Sequence, residues 1–234
     1  MKNPPNMELW QGRTDTLEGE LGARWHQVIR SLGDTHEVQS NAIALIGFAC
    51  DAGVARNHGR VGAAAAPNVL RKFLANIPAQ ARQGMVDAGD VVCEGDGLEA
   101  AQSAFAHEVT QLLQQDFFPI GMGGGHEIAF ASFSGWSDFL AVNHPQANLG
   151  IINLDAHFDL RRDAQATSGT PFLQIAQECE RRGWAFNYCC LGVSEFANTQ
   201  ALFARAEELN VTWRLDTDMR PTQLDAILAQ LAQF

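Results

Sequence analysis

The sequence predicts an α/β fold built on a mostly parallel sheet flanked by helices. Three observations predict it. Short apolar runs recur along the chain, longer stretches of helical periodicity separate them, and two of the apolar runs lead straight into clusters of polar, chemistry-bearing residues. In order, AIALIGF (42–48) reads as a buried strand, and AAAAPNVLRKFLAN (63–76) as a helix with Pro67 in its first turn, where a missing N–H costs little. MVDAGDVV (85–92) reads as a strand. From Leu98 onward, Ala101, Phe105, Val109, Leu112 and Leu113 keep helical spacing. FFPIG (117–121) is a short strand whose Pro119 marks an edge or a strand end. GGGHEIAFASFSGWSDFLAVN (123–143) starts as a glycine-rich loop and continues as a helix. LGIINLD (149–155) is the clearest strand, followed by a helix in PFLQIAQECERR closed by Gly183. FNYCCLGV (186–193) is a strand, and ANTQALFARAEELN (197–210) and PTQLDAILAQLAQF (221–234) are helices.

The 234 residues, 46% of them hydrophobic, are enough for one sizeable core, so a single domain over 1–234 is expected, with 1–39 as an N-terminal extension packed on it. The net charge of −11 argues against nucleic acid and anionic membrane as partners, since both repel it. Five cysteines without a CxxC pair give no disulfide framework, and Cys189 and Cys190 sit in an apolar run as small core residues. The polar N-terminus has no secretory apolar core, and no apolar run reaches the roughly 18 residues of a membrane helix. A cytoplasmic protein with a small-molecule substrate is expected. His26, His36, His107 and His144 read as ordinary surface or core histidines.

In parallel α/β sheets, sites form beyond the carboxyl ends of the strands. GMGGGHE (121–127) and DAHFD (155–159) both fall there. An extended backbone would turn Asp155, His157 and Asp159 to one side. Carboxylate, imidazole and carboxylate, joined by His126 from the other run, form a donor set that suits Mn²⁺, Zn²⁺, Fe²⁺ or Co²⁺. One carboxylate bridging two ions about 3.5–4 Å apart would make a dinuclear site able to deliver hydroxide to an electrophilic carbon. Glu127 reads either as support for that site or as a solvated acid at a helix start. In ARNHGRVGA, Arg56, Asn57 and Arg60 would hold an anionic substrate, guanidinium forks being matched to carboxylates; the alternative is a solvated loop. Ser168 and Thr170 in TSGTP would hydrogen-bond a substrate or cap a helix. No G-x-S-x-G elbow or G-x-G-x-x-G fingerprint is present.

GGGHE and DAHFD resemble two metal motifs of the ureohydrolase (arginase/agmatinase) family. From about residue 40 onward, GFACDAGVARNHGRVGAAAAPNVLRKFL, MVDAGDVV, DAHFDLR and TSGTPFLQI resemble the branch acting on N-formimidoyl-L-glutamate. The resemblance implies an arginase-like three-layer sandwich. It also implies hydrolysis of N-formimidoyl-L-glutamate to L-glutamate and formamide in L-histidine degradation, two Mn²⁺ per subunit, and further copies of the chain as partners. Carried over by position, His126 and Asp159 would bind one ion, His157 the other, and Asp155 both, with Asp155 and His157 as catalytic groups. Arg161 stands where arginases carry an asparagine, and suits the extra carboxylate of a formimidoylglutamate. Phe172 stands where arginases carry a histidine. The family's third motif, a later pair of aspartates, has no match: LDTDM (215–219) follows Asp155 too closely and is flanked by polar residues instead of a buried strand. The expectation is a sheet with its last strands missing, weak metal binding and an exposed sheet edge. The alternatives are a guanidino hydrolase such as agmatinase, or a non-catalytic metal-dependent binding protein.

Overall fold

The computed structural model describes residues 1–34, 41–80 and 84–234, apart from the side chain of Gln233. His36 and residues 35–39 of the expected N-terminal extension lie outside these. The described residues divide into two compact units, 1–143 with 166–168, and 144–165 with 169–234.

In the first unit the elements run β1 (Lys2–Asn3), α1 (Trp25–Val28), β2 (Arg30–Ser31), β3 (Ile43–Ala49), α2 (Ala52–Arg56), α3 (Ala66–Leu74), β4 (Met85–Val92), α4 (Leu98–Gln114), β5 (Phe118–Met122) and α5 (Ile128–Asn143). β3 is central, pairing in parallel with β4 on one side and β5 on the other. The outer edge of β4 is covered by β2 in parallel and β1 antiparallel. β5 ends the ladder, so Pro119 sits on an edge strand, where its absent N–H breaks no pairing.

The period of two in β3 sorts its side chains. Ala44, Ile46 and Phe48 join Val86 and Ala88 of β4 under Leu98, Phe105, Val109 and Leu112 of α4. Leu45 faces the other way, into Trp10, Ile29, Ala75 and Met122. Apolar cover therefore lies on both faces, as a parallel sheet requires.

In the second unit β6 (Gly150–Leu154), α6 (Pro171–Arg182), β7 (Asn187–Val193), α7 (Gln200–Glu208), β8 (Thr212–Leu215) and α8 (Leu224–Gln233) follow in order. The three strands are parallel in the order β6-β7-β8. Cys189 and Leu191 face Ile227 and Leu231 of α8. Tyr188 faces the other way, its ring stacked on Phe172 at 4.3 Å. Phe158 packs edge-on against Phe203 of α7 and Trp213 of β8. α6 ends where Gly183 turns left-handed at φ 71°.

Three strands lie beyond the sequence reading. β1 and β2 are two residues each and exist only because β4 offers them an edge. β8 is TWRL, whose four side chains are all half-buried, too short and too mixed for an apolar run. Asp216 thus follows a strand after all, opening a 3-10 turn at Asp216–Asp218. The proline-led segment at 221 begins as a 3-10 turn, and α8 proper starts only at Leu224.

Candidate functional site

Polar clusters lie at the carboxyl ends of strands in each unit. In the second unit the chain leaves β6 at Leu154 and turns at once: Asp155 and Ala156 form a bend, and Asp159 has φ 47°. The extended run expected here is replaced by an irregular loop, yet the alternation survives in burial. Phe158 and Leu160 are fully buried, while His157 is exposed and Asp155 and Asp159 are half-exposed.

A carboxylate oxygen of Asp155 and one of Asp159 lie within 4.8 Å of each other. Asp155 also accepts the His157 backbone N–H at 2.8 Å, and its Oδ1 lies 3.2 Å from His157 Nδ1. Two carboxylates and an imidazole so disposed are hard-oxygen and borderline-nitrogen donors, which fits a Mn²⁺-type ion.

A loop without secondary structure holds this shape only if other groups take its backbone hydrogen bonds. The buried Asn198 takes two: its Oδ1 accepts the Phe158 N–H at 3.1 Å and its Nδ2 donates to Ala156 O at 2.7 Å, while Nδ2 also donates to Ser194 O at 2.9 Å beyond β7. Tyr188 donates to Phe158 O at 3.1 Å, the Cys190 thiol reaches His157 O at 3.4 Å, and Arg205 donates to Leu160 O at 2.5 Å. Burial raises the Tyr188 phenol well above its usual range and pushes the Cys190 thiol up to about 11, so both remain donors. Sequence reasoning missed Asn198, Tyr188, Cys190 and Arg205 as loop supports. Single asparagines and arginines at distant positions carry no spacing signal.

In the first unit the glycine-rich loop after β5 leans on the end of β3: the Gly125 N–H donates to Cys50 O at 2.9 Å. A Cβ at Gly124 would stand 1.9 Å from that same carbonyl oxygen, so only glycine allows the approach. His126 is half-buried in the turn that opens α5. Glu127 is fully buried, which corrects its reading as a solvated acid. Its Oε1 accepts the Gly53 N–H at 2.8 Å and lies 3.8 Å from the Cys50 thiol, while Oε2 has no partner. Desolvation lifts its carboxyl above the usual range.

The loop after β3 carries the other candidates. Arg56, at the end of α2, spends every N–H. Nε donates to Asp96 Oδ1 at 2.7 Å, Nη1 to Glu99 Oε1 at 2.6 Å and Ala166 O at 3.0 Å, and Nη2 to Asp96 O at 2.8 Å and Glu99 Oε2 at 3.1 Å. The two carboxylates, Glu99 foremost, hold its guanidinium far above its ordinary range. No donor is left for a substrate carboxylate, so the expected substrate contact is corrected to a structural clamp. Asn57 donates from Nδ2 to Ser168 Oγ at 3.1 Å, joining two predicted residues. Arg60 and Arg161 are both exposed, and the Arg161 backbone N–H donates to Gly169 O at 3.0 Å. Thr170 stands at the N-cap position of α6, but its buried hydroxyl donates to Gln174 Oε1 at 3.0 Å instead of capping the helix. Among the described residues no helix is long and apolar enough to cross a membrane.

Comparison with known proteins gives concordant matches. The arginase family profile matches residues 41–234. A formimidoylglutamase of Ralstonia nicotianae is 55% identical over 227 residues, covering 97% of this chain and 70% of that protein. The crystal structure of a Bacillus subtilis formimidoylglutamase superposes with a TM-score of 0.77 at 20% identity, over 95% of this chain and 67% of the other. A Trypanosoma cruzi formiminoglutamase variant solved with Mn²⁺ superposes with a TM-score of 0.72 at 24% identity, over 84% of this chain and 67% of the other.

Proposed function

The chain belongs to the arginase family, and from that premise we propose that it hydrolyses N-formimidoyl-L-glutamate to L-glutamate and formamide. The observation that carries the substrate is the 55% identity, spread over nearly the whole chain, with a formimidoylglutamase. The same reading places the reaction in L-histidine degradation, in the cytoplasm, in a homo-oligomer.

His126, Asp155, His157 and Asp159 would hold divalent ions, and Mn²⁺ is the one the T. cruzi relative was solved with. The close carboxylates of Asp155 and Asp159 support this, since two like charges at that separation repel unless a cation offsets them. When bound, the ions supply Lewis acidity and an acidified water. The chain's own side chains do the rest. The exposed guanidinium groups of Arg60 and Arg161 and the Asn57–Ser168 pair hold the glutamate carboxylates and so orient the amidine carbon. The departing glutamate nitrogen needs a proton, and a carboxylic acid beside the ions would supply it.

The test is incubation with Mn²⁺ and, in separate reactions, formimidoylglutamate, agmatine and arginine. Formamide and glutamate from the first alone are expected, while urea from either of the others overturns the assignment in favour of a guanidino hydrolase. Chelation should abolish turnover and Mn²⁺ restore it. Asp155→Asn should lower kcat/KM by more than about 100-fold, beyond what loss of a merely supporting group costs.

A further inference from the structure

We propose that Arg56 is a positioning residue: from α2 it fixes segment 166–168, and thereby sets the Asn57–Ser168 pair that recognises the glutamate end of the substrate. This rests on the proposed function for the identity of the ligand, but its geometry stands apart from it.

The segment 166–168 is fastened to α2 at three points. Arg56 Nη1 donates to Ala166 O at 3.0 Å, the Ser168 N–H donates to Gly53 O at 3.0 Å, and Asn57 Nδ2 donates to Ser168 Oγ at 3.1 Å. Thr167 between them is buried. Two of the three fastenings are single bonds between small groups on the α2 turn. Arg56 reaches outside that turn. Its remaining four N–H donors bond Asp96 and Glu99, at the start of α4, so the same guanidinium that meets Ala166 is also held to α4. α2 is only five residues long and cannot be rigid by itself. The plane of Arg56 links it to the seventeen-residue α4, whose inner face lies in the core. A lysine offers a point charge with no fork, and could reach one acid or Ala166 O but could not bridge them.

The test compares wild type with Arg56→Lys and Arg56→Gln, using Lys72→Gln, a change at an exposed position of α3 in the same unit, as a control. Two measurements are made. In hydrogen–deuterium exchange, peptides covering 164–170 should exchange about tenfold faster in both Arg56 variants and remain unchanged in the control, while peptides from β3 and β4 stay as in wild type. In steady-state kinetics with N-formimidoyl-L-glutamate, KM should rise about tenfold with kcat within about twofold, because a misplaced recognition pair weakens ground state and transition state alike. A merely structural role would lower the folded fraction, reducing kcat with KM intact, and that result overturns the proposal. So does unaltered exchange at 164–170. If wild type fails to turn over formimidoylglutamate, the functional reading is lost, and the exchange experiment still decides whether Arg56 holds the segment.

Discussion

At Asp87 four donors meet one carboxylate that has no exposure to water. Arg71 gives Nε at 2.6 Å and Nη2 at 2.9 Å, Trp10 gives its indole N–H at 2.8 Å, and the Gly89 backbone gives its N–H at 2.9 Å. Arg71, itself 1% exposed, also reaches Asp90 at 2.7 Å. A buried carboxylate is tolerable only when its lone pairs are filled in this way. Removing it strands a buried guanidinium with one remaining acid, so Asp87→Ala should cost about 3 kcal/mol or more. A urea denaturation midpoint would report it. None of this is legible in the sequence. Arg71 reads as a polar position of an amphipathic helix, and Trp10 lies 77 positions from its acceptor. Glu127 teaches the same lesson beside the candidate site: it follows a histidine at a helix start, where acids are normally solvated, and only the packing of β3, α2 and the glycine-rich loop buries it.

Among the elements, α6 shows how local sequence carries both structure and pH response. Pro171 opens it, Gly183 closes it, and its last turn presents Arg181 and Arg182 to Glu178. Arg181 donates to that carboxylate at 2.7 Å and Arg182 at 2.6 Å, and Arg182 also stacks over Trp184 at 5.4 Å. Hydrogen bonding to Arg181, then to Arg182, holds the Glu178 carboxyl down at about 2 against the opposing effect of its burial. A depressed carboxyl stabilises the fold above its unfolded value of about 4.3, and that contribution disappears as pH falls through about 2. Glu178→Gln should therefore be less stable than wild type at pH 7 and equal to it near pH 2. Thermal melting across that range gives the check, and a stability difference that persists at pH 2 would contradict the account. The i, i+3 and i, i+4 spacing that forms this cluster is local, yet the sequence reading singled out only the helix and its closing glycine. β8 was not visible, because four residues of mixed polarity make a strand only when β7 supplies the partner.

Across the molecule, each unit presents a sheet edge with apolar side chains turned to water among the described residues. On β5 these are Phe118 and Ile120, and on β6 Ile152 at 53% and Leu154 at 75% exposure. Parallel strands with unpaired N–H and C=O groups and apolar side chains are templates for association. Ile152→Lys, which places a charge on the β6 edge without touching the Asp155 loop, should lower light scattering at a given protein concentration and leave the folded spectrum unchanged. The sequence by itself determined the fold class, the order of the long strands and helices, and the two runs that bear the candidate metal ligands. Those follow from hydrophobic period and from residue type, which are local properties. Only the tertiary structure decided which polar residues are engaged and which are exposed. It tied Arg56 to Asp96 and Glu99, buried Glu127 and Thr170, and recruited Asn198 to hold the Asp155 loop. The physical reason is that a hydrogen-bond partner is chosen by distance in space, and spatial distance becomes defined only once the apolar faces have packed.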